Sequence, residues 1–279
     1  YATPSVSEIT QHYSVKPTGT IIDGLLLGFT LDSDWNPNTL LTVTYSFVAA
    51  DTQHLSAKVV GYVGDGGIDP NSYGFRDATI EALNHIGELL GINFVEVTET
   101  DTQVGDIRFV LFEGDVGFSG VAFPYDYGYD QILNSSINHD ILIPANNNTD
   151  SNGNPDFSKG SYGYHTILHE IGHVIGLSHG QDWENVQYWN YGPDGDNLEE
   201  TLYFPSLDEL GYSSYGWNGW TVMDYREYAG HDYNISIDNP SATIITVTDT
   251  GELLYPTTFM PLDISASLYL YGWWDDQGV

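Results

Sequence analysis

One eleven-residue run restricts the folding options of this chain more than any other: His169-Glu-Ile-Gly-His173-Val-Ile-Gly176-Leu-Ser-His179. On a helix, His169 and His173 stand four residues apart and share a face. Two imidazoles one turn apart can meet a single zinc ion at about 2.0–2.1 Å each. Glu170 falls one residue further round, near such an ion but not directed at it, where a base must sit to take a proton from zinc-bound water. Gly176 can leave the helix through a conformation that other residues resist, which swings His179 back as a third ligand. Three protein ligands leave a position open for water, the mark of a catalytic rather than a structural zinc site. The competing reading is a pair of surface histidines on a helix. The glycine and the third histidine at the required spacing go against it.

Some forty residues downstream stands Thr221-Val-Met223-Asp-Tyr225, and Met223 is one of two methionines in the chain. Alone it reads as an ordinary core residue. After the long histidine motif it reads as a tight turn that floors the metal site with a soft thioether packed beneath the imidazoles.

Composition narrows the remaining possibilities. Six Lys plus Arg against 39 Asp plus Glu give a net charge of -33, which opposes nucleic acid or an anionic membrane as a partner. The acids are spread along the whole chain, as in a heavily solvated surface suited to salty surroundings, and calcium or cationic substrates are the functional alternative. The absence of cysteine excludes disulfides and thiolate-bound zinc. No apolar run approaches the ~20 residues that a bilayer requires, and Tyr1 opens directly onto polar, turn-rich sequence without a signal peptide. The 279 residues, 41% hydrophobic, can bury one substantial core or two smaller ones.

Residues 1–39, rich in Thr, Ser, Gly and Pro with one apolar cluster from Ile21 to Phe29, read as an N-terminal wrap. Residues 40–279 then form a single structural unit. Leu40–Val48 alternates and is rich in β-branched and aromatic residues, which predicts a strand. A Gly/Asp/Asn-dense loop covers Gly61–Gly74, and Phe75–Leu90 carries apolar residues near helical spacing and ends at Gly91. Strands are expected at Asn93–Val97, Asp106–Phe112, Gly120–Pro124 and Asp140–Ile143, followed by a polar loop over Asn146–Lys159. Helical periodicity resumes at Tyr164–Leu177. Residues 178–221 read as irregular, and a final helix is expected over Pro261–Tyr271. Strands and helices mix without regular βαβ alternation, so the class is α+β.

Several of these segments together resemble the metzincin metalloproteases, and within them the serralysin group of secreted bacterial proteases. The zinc motif ends Gly-Leu-Ser-His179 as serralysins do, and Val-Met223-Asp-Tyr225 looks like their methionine turn. Met260-Pro-Leu-Asp263-Ile-Ser-Ala-Ser-Leu-Tyr-Leu-Tyr271 is similar to the helix that closes their catalytic domain, and Thr44-Tyr-Ser-Phe47 and Asp106-Ile-Arg-Phe109 fit their early strands. The resemblance spans roughly residues 40–273. It implies a mixed, mostly parallel sheet with an antiparallel edge strand, an active-site helix and a C-terminal helix. It also implies hydrolysis of internal peptide bonds in a protein or peptide substrate by a secreted, extracellular monomer. Substrate would add as an antiparallel strand to a sheet edge, placed here at Gly120–Pro124. By the same resemblance, Tyr225 is an extra zinc ligand that swings away to stabilise the oxyanion. The chain departs from the family at Gly180, where a proline is usual, and at Asp224, where a small residue is usual. The family's glycine- and aspartate-rich calcium repeats have no counterpart between the closing helix and Val279.

Calcium is a further expected cofactor. Asp150, Asn152, Asn154 and Asp156 place oxygen ligands at every second position, as a calcium loop does, although the glycine is misplaced for an EF-hand. A polar surface loop is the competing reading. Asp194 and Asp196 form a weaker second candidate. The rival functional class is a metal-bearing binding module without proteolytic activity, and an intact Glu170 speaks against it.

Overall fold

The computed structural model describes residues 18–27, 31, 41–48, 67–100, 104–114, 116–123, 140–180, 184–191, 197–204, 206–207, 209–210, 220–224 and 255–271, the two segments between 184 and 204 as backbone. Its principal layer is a five-stranded sheet. The strands are β1 (Leu41–Phe47), β2 (Ile92–Glu96), β3 (Ile107–Phe112), β4 (Val121–Ala122) and β5 (Asp140–Pro144). They lie in the order β2-β1-β3-β5-β4, all neighbours parallel except the antiparallel edge pair of β4 with β5. The fold is therefore α+β with a mixed, mostly parallel sheet, as expected.

Burial follows position in the sheet. Every residue of the central strands β3 and β5 is buried, whereas β2, at one edge, keeps Asn93 and the Val95–Glu96 end exposed. Strands covered on both faces read as continuous apolar runs, which is why Phe-Val-Leu-Phe112 and Ile-Leu-Ile143 lack alternation. Arg108, 1% exposed, sits among them because Glu99 at 2.8 Å and Asp140 at 3.5 Å balance its charge.

Helix α1 (Phe75–Leu90) turns its Ala78, Leu83, Ile86 and Leu90 inward and ends at Gly91, whose φ of 68° closes the helix in the left-handed region. Helix α2 (Tyr162–Val174) begins two residues before its apolar periodicity, because the Ser161 side chain accepts the amide of Tyr164 as an N-cap. Helix α3 (Pro261–Tyr271) packs against the Ile21–Leu25 turn and α1. Leu25, Phe75, Phe109, Ile171, Met223 and Phe259 belong to one apolar cluster joining these helices to the sheet. A smaller cluster of Val48, Val110, Phe112 and Leu142 is packed by Val116, Phe118, Val121 and Phe123.

One expectation fails. The 178–221 stretch is not irregular throughout: β6 (Glu184–Tyr191) and β7 (Asn197–Phe204) form a two-stranded antiparallel hairpin. Its strands hold the β-favouring Val186, Tyr188, Trp189, Tyr191, Thr201, Tyr203 and Phe204 among Glu and Asn residues that interrupt the strand signal. Other boundaries moved by a residue or two, as with β2, which starts at Ile92.

Candidate metal centre

Helix α2 delivers His169 and His173 to one face, and Gly176 ends it with a φ of 104°. The chain then doubles back. Leu177 bridges Leu26, the Leu27 amide donates to the Gly176 carbonyl at 2.9 Å, and the Ser178 amide donates to the Leu25 carbonyl at 3.0 Å. The N-terminal segment thus fixes the course of the residues that carry His179. The outcome is convergence: His179 Nε2 lies 3.1 Å from His169 Nε2 and 2.9 Å from His173 Nε2. Among the described residues this is the group of three or more ionisable side chains whose ligand atoms gather closely enough for a metal.

The donor chemistry fits a cation. His169 Nδ1 donates to the Val222 carbonyl at 2.7 Å and His173 Nδ1 to the Leu177 carbonyl at 2.9 Å. Those bonds fix the tautomers and leave a lone pair on each Nε2. A proton on His179 Nε2 can serve one of these two contacts but not both, so at least one of the short nitrogen–nitrogen contacts stays unbridged and repulsive. A shared cation removes that repulsion. A tetrahedron with bonds of about 2.0–2.1 Å has edges of about 3.3–3.4 Å, close to the spacings found. Protons compete weakly for these nitrogens. Burial, then the neighbouring His179, lowers His173 to about 3, and burial with the two other imidazoles holds His169 well below its usual range.

Glu170 is 5% exposed, beside the histidines on the same helix. Burial pushes its carboxyl up to about 8, against a hydrogen bond from the Ala122 amide that favours the anion. Met223 lies below. Its Sδ occupies the space that a Cβ on Gly172 would need, so the thioether meets the helix backbone between the two histidines. Tyr225 lies outside the described residues, as do Asp194 and Asp196.

Three contributors were not singled out from the sequence as parts of the site. Asp263 of α3 accepts from Thr221 Oγ1, from the Val222 amide at 2.8 Å and from the Met260 amide at 2.9 Å. It thereby holds the turn whose Val222 carbonyl orients His169. Its signal was an acid inside an otherwise apolar helix. His165, four residues before His169, is buried, and its spacing was the available clue. Gly120, against Glu170, is named by the sequence only as the start of the expected edge strand. At the proposed calcium loop, Asp150 Oδ1 accepts the amides of Asn152 and Asn154, both at 2.9 Å, and Asp156 Oδ1 accepts that of Ser158. The Asn152 and Asn154 side chains turn amide nitrogens, not oxygens, toward Asp150. The four residues thus come together as a self-bonded turn.

No protein-family model matches the chain, and no curated protein matches it. Sixty-nine chains of solved structures match it in fold. One is myroilysin, with 14% identity and a TM-score of 0.38 over 86% of this chain and 96% of that one. That likeness is slight, and the α+β description rests on the strand order itself.

Proposed function

We propose that this chain is a zinc-dependent endopeptidase of the metzincin type, serralysin-like in its motifs. The observation that carries the reading is the convergence of three imidazole Nε2 atoms beside a buried glutamate. His169, His173 and His179 would hold the zinc, and the sequence resemblance adds Tyr225 as a further contact. A zinc ion there would supply Lewis acidity, polarising a peptide carbonyl and acidifying water. Glu170 takes the proton from the attacking water and returns it to the leaving amine. The methionine turn keeps His169 in the tautomer that presents Nε2. Edge strand β4 lies along α2 at Glu170 and offers backbone to an extended peptide. The extracellular setting, the monomeric state and a protein substrate belong to the same reading.

Glu170→Gln is expected to lower casein or peptide cleavage by roughly 10³-fold while zinc content, measured by atomic absorption, stays at the wild-type level. Cleavage persisting in that variant would remove Glu170 from its role. Zinc binding by a wild-type protein that cleaves nothing on a peptide library would favour the binding module instead.

A further inference from the structure

The side of the site opposite the zinc ligands is built around Glu170. A Cβ placed on Gly120 would lie 2.6 Å from Glu170 Oε1, 2.8 Å from its Cγ and 2.7 Å from Thr166 Cγ2. Any side chain at position 120 must therefore move Glu170, Thr166 or the strand. Two residues on, the Ala122 amide faces the Glu170 carboxyl and favours its anion. The strand cannot easily retreat. Asn147 Nδ2 donates to the Val116 carbonyl at 2.8 Å and the Phe118 carbonyl at 2.6 Å, and Asn148 Nδ2 donates to the Ser119 carbonyl at 2.7 Å. The Tyr162 hydroxyl, from α2 itself, reaches Ser119 Oγ at 3.0 Å. Beyond β4, the Phe123 amide donates to the Asp140 carbonyl at 3.0 Å.

We infer that residues 118–122, anchored by Asn147 and Asn148, are a clamp that sets the position of the Glu170 carboxylate, with Gly120 as the steric gauge and the Ala122 amide as the stop. The inference rests on the proposed peptidase reading for its catalytic consequence, but not for its geometry. A long glutamate side chain has three rotatable bonds, and a base misplaced by about 1 Å can cost on the order of 100-fold in rate. Holding it between a helix and a pinned backbone removes that freedom before substrate arrives. Gly120, Asn147 and Asn148 are positioning residues here: they act through Glu170 and touch no substrate by this argument.

The test compares Gly120→Ala with Gly117→Ala, since a Cβ at Gly117 meets nothing within 4 Å. In the zinc-loaded enzyme, Gly120→Ala is expected to lower kcat by about 10- to 100-fold, leaving KM and zinc affinity within about twofold of wild type. Gly117→Ala is expected to match wild type in all three. In the zinc-free protein, the Ala122 amide resonance is expected to move in Glu170→Gln, and to move in the same direction in Gly120→Ala. An Ala122 amide unmoved by Glu170→Gln, full kcat in Gly120→Ala, or a kcat loss matched by equal loss of zinc affinity would each overturn the clamp. If Gly120→Ala does not fold, Asn147→Ala, which frees the strand at Val116 and Phe118, must show the same amide shift and a smaller kcat loss. Because the amide readout needs no turnover, it decides the clamp even if the wild-type protein proves not to be a peptidase.

Discussion

The histidine cluster and the Asp150–Asp156 loop both read as metal sites in the sequence, and the fold treats them differently. The three imidazoles come from a helix and a returning segment, so their ligand atoms are forced together from separate directions. The loop's carboxylates belong to one short turn and bond to amides of that same turn. Ligand spacing along a chain is therefore a weak guide until something fixes where the lone pairs point. At the histidines, the carbonyls of Val222 and Leu177 do this by occupying Nδ1 of His169 and of His173. At the loop, Oδ1 of Asp150 and of Asp156 accepts backbone amides of the same turn.

The contrast is most easily broken by metal replacement. Zinc returned to chelator-stripped protein at about 1,000 times its Kd should stabilise the fold by about 4 kcal/mol, a rise in Tm on the order of 10 °C for a chain of this size. In His173→Ala that rise should vanish, together with stoichiometric zinc in equilibrium dialysis. An unchanged rise would mean that the cluster is not the metal site.

The next effect tests how the cluster is oriented. Asp263→Ala leaves the Val222 and Met260 amides and the Thr221 hydroxyl without their acceptor, at a cost of roughly 2–4 kcal/mol in urea unfolding. It should also weaken zinc binding through His169. Asp263→Asn separates charge from contact. Burial raises the Asp263 carboxyl from an ordinary 3.8 to about 7, against three hydrogen bonds that favour the anion. The native protein then keeps a proton that the unfolded chain has already released. The resulting stability is present below the ordinary carboxylate range and is lost as pH rises toward 7. Between pH 5 and 8 the asparagine variant should gain about 2–3 kcal/mol on the wild type. Parallel stability curves would show that Asp263 is charged throughout.

The smallest effect belongs to the loop. Millimolar calcium should move the Tm of stripped protein by less than about 1–2 °C, and Asp150→Ala should cost about 1 kcal/mol or less as a surface change. A calcium shift as large as that of zinc would place the two regions on an equal footing.

The elements differ in the same way in how openly the sequence displayed them. The two helices ending at Gly91 and Gly176 were legible because an apolar period and a left-handed glycine are both local properties. So were the buried strands, whose β-branched runs have few other uses. The β6/β7 hairpin was not, since Glu and Asn interrupt the β-favouring residues of both strands and blur their alternation. Within the site, His169, His173 and His179 could be read from spacing because one helix and one turn bring them close.

The sequence alone determined the helix that pairs His169 with His173, the break at Gly176, and the placing of Glu170 one residue past a ligand. Those follow from local backbone geometry, which the intervening residues dictate. The tertiary structure alone decided that Asp263, 94 positions after His169, steadies the carbonyl that orients it. It also decided that Gly120 abuts Glu170, and that the acidic loop bonds to itself. Each of these depends on where two separately folded segments meet, and close packing sets that meeting to within a fraction of an ångström.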